Sequence, residues 1–140
     1  MRLIGFNFAK IHAERFSQKP GEMTINTKID VSSISEAKQD FFKTKEDLLS
    51  VEFSCIFDYT PDFAKIELSG ALVLALDSKT SKGVLKDWES KQMPEDFRLP
   101  LFNLILRKSS LRALQLEEEL NLPPHIPFPS LKKQESSEGQ

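Results

Sequence analysis

Residues 49–76 read LSVEFSCIFDYTPDFAKIELSGALVLAL, and their spacing decides the fold. Leu49, Val51, Phe53, Cys55 and Phe57 alternate with Ser50, Glu52, Ser54 and Asp58, the period of a strand with one dry and one wet face. DYTPD then makes a turn, with Pro61 setting the bend. Beyond it Ala64, Ile66, Leu68, Leu72, Leu74 and Leu76 keep the even positions, opposite Lys65, Glu67 and Ser69. The final ALVLAL is apolar on both faces.

Working outward, Met23, Ile25, Thr27, Ile29 and Val31 alternate with Thr24, Asn26, Lys28 and Asp30 and predict a further strand. The chain start, Arg2 to about Ile11, places Ile4, Phe6 and Phe8 on one face. Four alternating strands joined by short connections predict an antiparallel sheet. Ser33 followed by Glu36 matches a capping box, so a short helix is expected over SISEAKQDFFKTKEDLL, with Ala37, Phe41 and Leu48 on one face and an ordered loop as the alternative. After Leu76 the period changes. Val84, Leu85 and Trp88 share one side of a short helix, with Trp88 as a core anchor. A longer helix enters near Pro94, with Glu95 and Asp96 in its first turn. Pro100 is expected to kink it or to mark a second start, and Asn121, Pro123 and Pro124 to end it. The expected class is α+β, a four-stranded antiparallel sheet with a short and a long C-terminal helix. Residues 1–131 form a single domain and 132–140 a disordered polar tail.

Composition removes several functions. A net charge of −2 on 140 residues gives no electrostatic footprint for nucleic acid. Cys55 is the lone cysteine, so no internal disulfide forms, and its place among large apolar residues marks a core thiol. The opening MRLIGFNFAK is followed by Lys10, His12 and Glu14 with no small-residue cleavage site, so no secretory signal is expected. No run approaches the roughly 18 apolar residues of a membrane span, and the expected location is the cytoplasm. His12 and His125 share no carboxylate or cysteine at metal-ligand spacing, and none of the five glycines falls in a phosphate-cradling pattern. Glu117, Glu118 and Glu119 read as a solvated run. No catalytic, metal or cofactor residue is assigned, and an enzyme is not expected.

Two features ask for apolar partners. On the long helix, Phe97, Leu101, Leu104, Ile105 and Leu111 make one stripe, and Phe102, Leu106, Ala113 and Leu120 a second. A helix covering only its own sheet needs one stripe of about 100°. The second stripe implies another helix, another subunit or the segment LNLPPHIPFPSL, Leu120–Leu131. That segment sets Leu122, Ile126, Phe128 and Leu131 among four prolines, a pre-ordered arm expected to seal or border an apolar groove. A PxxP-type ligand for an outside domain is disfavoured, because it would leave those apolar residues exposed.

The order of elements, with LNLPPHIPFPSL after the long helix and FDYTPDFAKIELSGALVL as a hairpin carrying Gly70 before an apolar end, resembles the SecB export chaperones. The chain is also similar to small uncharacterised archaeal proteins with IGFNF-type starts and LNLPPHIP-type ends. Two features depart from SecB: the surface is not strongly acidic, and LPLFNLILRK stands where a Phe-Pro-Tyr-type signature opens that family's long helix. Motor docking and export are therefore not carried over. The resemblance implies sheet-plus-helix architecture, homo-oligomerisation and an ATP-independent, chaperone-like binding of unfolded polypeptides in a hydrophobic groove. The groove candidates are Leu101, Phe102, Leu106, Ile126 and Phe128, with no cofactor, nucleic acid or membrane insertion. The rival expectation is a non-catalytic adaptor subunit that meets one dedicated folded protein.

Overall fold

Strands β1 (Arg2–Arg15), β2 (Thr24–Glu36), β3 (Asp47–Thr60) and β4 (Ala64–Leu76) precede helices α1 (Ser78–Trp88) and α2 (Glu95–Glu119). This is a computed structural model, which describes residues 1–19, 21–37 and 46–133. The strands form one antiparallel sheet in the order β1-β4-β3-β2. The first two strands in sequence thus occupy the two edges, and the β3–β4 hairpin fills the centre. Central position explains why the hairpin's even and odd residues separate so cleanly. Leu49, Val51, Cys55, Phe57 and Tyr59 are fully buried, as are Ala64, Ile66, Leu68 and Leu74 across the ladder. On the opposite face Lys10 pairs with Glu67 at 2.5 Å, and Lys65 lies 3.7 Å from the same carboxylate. The Lys10 ammonium holds the Glu67 carboxyl below the usual carboxylate range.

Gly70 solves a packing problem at the sheet's centre. It faces Phe8 on one side and Phe53 on the other. A Cβ here would overlap the Asn7 carbonyl oxygen and come within 2.8 Å of the Phe8 Cα. The absent side chain lets the β1 backbone pass close to β4. Nearby, Phe6 is stacked on Phe53 at 5.0 Å and edge-on to Phe8 at 5.2 Å.

Several local expectations change. A register shift between Leu3 and Gly5 inverts the alternation, so Leu3 joins Phe6 and Phe8 against the core, and Ile4 is exposed. A second shift, between Val31 and Ser33, returns Ile34 to the buried face opposite Val51. The strand therefore runs through the Ser33–Glu36 pattern that had suggested a helix cap, because burying Ile34 and completing the ladder outweigh a cap. Ala37 N–H still donates to the Leu48 carbonyl, at 2.9 Å. Leu48, placed on the expected helix face, belongs instead to β3 and pairs with Ala75, where the ladder gives its backbone partners. Residues 38–45 of that expected helix, Phe41 included, lie outside the described residues, as does 134–140 of the expected polar tail.

Both helices start and stop as local chemistry dictates. Asp77 caps α1 by accepting from Thr80 N–H at 3.1 Å and from the Thr80 hydroxyl at 2.6 Å. Val84 is buried, while Leu85 and Trp88 pack half-buried on the core. Pro100 lies within α2 and does not end it. The two expected stripes are one row: Phe97, Leu101, Ile105, Ser109, Ala113 and Glu117 are buried at every fourth position. Each four-residue step turns about 40° past a full circle, so the row begins in the first stripe and ends beyond the second. Leu111, assigned to the first, is exposed; Phe102, Leu106 and Leu120 flank the row half-buried.

Candidate functional site

Helix α2 ends where Asn121 adopts a left-handed φ of 55°, and Leu122 N–H donates back to the Glu117 carbonyl at 2.8 Å. Arg15, at the end of β1, supports this exit. Its guanidinium donates to the carbonyls of Leu120 (3.1 Å) and Asn121 (2.8 Å) and lies 4.9 Å over the Phe63 ring. A cation there also suits the negative end of the helix.

From this exit the proline arm turns onto the sheet–helix seam. Leu122 is buried, and the Tyr59 hydroxyl of β3 donates to the Pro123 carbonyl at 2.5 Å. Glu117 then holds His125 twice: the backbone N–H reaches Oε1 at 3.2 Å, and ring Nδ1 meets Oε2 at 2.7 Å. His125 Nε2 lies 3.0 Å from the Ser110 hydroxyl, and the ring packs on Phe57 at 4.4 Å between centroids. The side chains of His125 and Glu117 are 3% and 1% exposed. Burial, and then the negative charge of Glu117, push the Tyr59 hydroxyl well above the ordinary phenol range.

Glu117 overturns the reading of Glu117–Glu119 as a solvated run: it is buried because it continues the every-fourth-residue row from Phe97, while Glu118 and Glu119 face water. That periodicity was the available signal. His125 takes a structural role; its partners Phe57, Ser110 and Glu117 come from β3 and α2 and share no local spacing with it. The hydroxyl–imidazole–carboxylate order of Ser110, His125 and Glu117 is that of an acyl-transfer relay. Yet Ser110 sits mid-helix, where the surrounding backbone N–H groups are spent inside α2 and offer no oxyanion donors. The chain of hydrogen bonds is built to hold.

The five groove candidates separate. Leu101 is fully buried in the core, supporting the surface from beneath. Phe102 and Leu106 are half-buried on α2. Ile126 and Phe128 are 42% and 59% exposed, and Leu131 is fully exposed. So the arm seals its groove only as far as His125, and the apolar residues beyond it, expected to lie inside, are left to solvent. Phe128 borders a cleft of about 590 Å³ lined also by Leu114, Glu118, Leu122 and Pro124, near the C-terminal end of α2 and apart from Leu101, Phe102 and Leu106. A second cleft, of about 800 Å³, lies between the helix starts, with Leu76, Val84 and Phe97 among its lining residues. Among the described residues no His, Cys, Asp and Glu gather as metal ligands, and no helix is long and apolar enough to cross a membrane.

A four-stranded antiparallel sheet covered by a short and a long helix is the SecB-like α+β fold. The chain is similar to the Mycobacterium tuberculosis Rv1957 SecB-like chaperone, solved in complex with a ChAD peptide from the Rv1956 HigA1 antitoxin. The TM-score is 0.58 at 13% identity, over 94% of this chain and 89% of that one. No protein-family model and no curated sequence matches the chain. At that identity the likeness speaks for the fold.

Proposed function

We propose that the protein is an ATP-independent, chaperone-like binder of unfolded polypeptides, acting as a homo-oligomer in the cytoplasm. The reading treats residues 1–131 as one domain. What carries it is the SecB-like fold over almost the whole chain, whose solved neighbour holds a peptide. Phe102, Leu106, Ile126 and Phe128 supply the apolar contact, with Leu101 as their support from the core. A client segment laid on them loses water from both surfaces, about 25 cal/mol per Å² before ordering costs. Leu99 and Leu111, exposed on α2, are the residues for the contact between subunits.

Light scattering after size exclusion, with the chain alone and with a reduced slow-folding polypeptide, tests this. A stable multimer that captures the unfolded chain and ignores its folded form is the expected result. A protein that ignores both sinks the proposal and leaves the adaptor, which binds one folded partner.

A further inference from the structure

The clamp around His125 has the composition of a ligand site. Apart from the backbone bond of Leu122 to the Glu117 carbonyl, the groups that hold the arm's residues 122–125 are side chains of β3 and α2: Phe57, Tyr59, Ser110 and Glu117. What the arm contributes is what any extended peptide contributes: a carbonyl, an N–H, a ring and one apolar side chain. The site reads the carbonyl of Pro123 through the Tyr59 hydroxyl, and the N–H of His125 through Glu117 Oε1. It reads the ring three ways, by the Phe57 face, Glu117 Oε2 and the Ser110 hydroxyl. Leu122, three residues earlier, is buried beside it.

We propose that this slot is a peptide-binding site occupied in cis by residues 122–125. Its ligand in trans is an extended segment with an apolar side chain three residues before a histidine. The histidine is specified by its partners. Lysine brings a cation to Glu117 but no ring for Phe57, and tyrosine brings a ring and one hydroxyl but no second group at the right edge for Ser110. Imidazole offers a flat ring, an N–H for the carboxylate and a second nitrogen for the hydroxyl, and of the other side chains the longer arginine guanidinium comes nearest to it. The charged and titratable groups around it are Glu117 from α2 and Tyr59 from β3, with Arg15 of β1 holding the two carbonyls upstream. Since the arm leaves the helix only residues before the slot, its effective concentration is on the millimolar scale. The cis segment therefore acts as a built-in competitor, and access is granted to segments that match the slot better. This site adjoins the apolar surface proposed to capture unfolded chains, since Ile126 and Phe128 follow on the same arm and the Phe128 cleft shares Glu117 and Leu122. The slot alone reads a histidine, so a client without that pattern reports the surface and the peptide reports the slot.

The test uses the full chain and a labelled peptide of its own residues 120–131, LNLPPHIPFPSL, read by fluorescence anisotropy. The His125→Ala chain, with its slot half vacated, is expected to bind this peptide about tenfold or more tightly than the wild-type chain does. A peptide carrying the same substitution should bind the His125→Ala chain about tenfold more weakly, as expected for lost hydrogen bonds to a buried carboxylate. Equal binding of the two peptides, or no binding by a folded His125→Ala chain, overturns the proposal. Should that chain fail to fold, the wild type decides. Excess unlabelled peptide is expected to speed hydrogen exchange at the His125 amide by displacing the cis arm, and unchanged exchange overturns the proposal. Capture of the reduced polypeptide, measured beside it, reports the apolar surface.

Discussion

The β3–β4 hairpin and the proline arm both interleave large apolar residues with others, yet their side chains meet opposite fates. In the hairpin Val51, Cys55, Phe57 and Tyr59 are sealed from water; in the arm Ile126, Phe128 and Leu131 face it. The difference lies in the backbone. Each hairpin residue has ladder partners that fix which face it presents, so alternation becomes burial. Pro123, Pro124, Pro127 and Pro129 have no N–H to donate, and the arm joins no strand. It is held by side chains instead, where Tyr59 and Glu117 reach it, and among the described residues no hydrogen bond ties it to the sheet or helix beyond His125. Apolar patterning buries a segment only where the backbone is also given partners.

The sharpest way to break this contrast is to damage a residue the two regions share. Phe57 is a buried hairpin residue and the floor under His125. Phe57→Ala is expected to lower stability by about 3–5 kcal/mol, the cost of losing a buried aromatic and leaving a cavity. Urea unfolding measures it. A loss under about 1 kcal/mol would mean that the arm collapses into the space, and that the hairpin does not carry the core.

Gly70→Ala probes the hairpin's other side. The added methyl meets the Asn7 carbonyl, which is backbone and cannot swing away, so β1 must shift from β4. About 1–3 kcal/mol is the expected cost, with amide exchange accelerated in β1 more than in β3. Uniform acceleration across the sheet would place the strain elsewhere. Alkali tests the same core by charge. Burial pushes the Cys55 thiol from 9.0 up to about 11, with the neighbouring Ser109 hydroxyl opposing. Its folded pKa being raised, the stability gained by keeping the thiol neutral is full below 9.0 and lost as pH rises toward about 11. Cys55→Ala should flatten that alkaline decline in unfolding experiments; an unchanged decline would assign it to other groups.

These residues also mark where a sequence can be read and where it cannot. The strands were legible because burial on one face imposes a period of two, and Gly70 stood out before an apolar end. The register shifts next to Ile4 and Ser33 were not, since one inserted residue inverts the alternation; no proline or glycine marks the second, and Gly5 beside the first reads equally as an ordinary strand residue. Ser33 and Glu36 satisfied a helix-cap pattern whose outcome depended on Val51, distant in sequence and adjacent in the sheet. On α2 the pattern of apolar letters hid the buried row, because half of that row is Ser109, Ala113 and Glu117. The clamp was illegible for the same reason. Its members are polar residues of three segments, and polar residues reveal a shared purpose only once the fold brings them together. Of the groove candidates, exposure of Ile126 and Phe128 became visible only with the structure, and it removes the argument that a presented arm would be unreasonable.

Two smaller effects sharpen the contrast within the arm. Tyr59→Phe removes the hydroxyl that reaches Pro123 and leaves the ring in the core. It should cost about 1 kcal/mol and raise protease cutting after Phe128, because one of the arm's few fasteners is gone. Unchanged cutting would mean that Glu117 and Leu122 suffice.

Phe128→Ser reverses the balance. The ring is 59% exposed and its contacts line only an open cleft, so the substitution should change stability by no more than about 0.5 kcal/mol. The same ring is offered to a client, and there its loss removes apolar area from the contact. Capture of a reduced polypeptide should weaken while urea unfolding stays unchanged, which no hairpin substitution should achieve. If capture and stability fall together, Phe128 is packed in solution and the arm is a seal along its whole length. If neither changes, client contact must be sought on Phe102 and Leu106, and the exposed end of the arm serves something else.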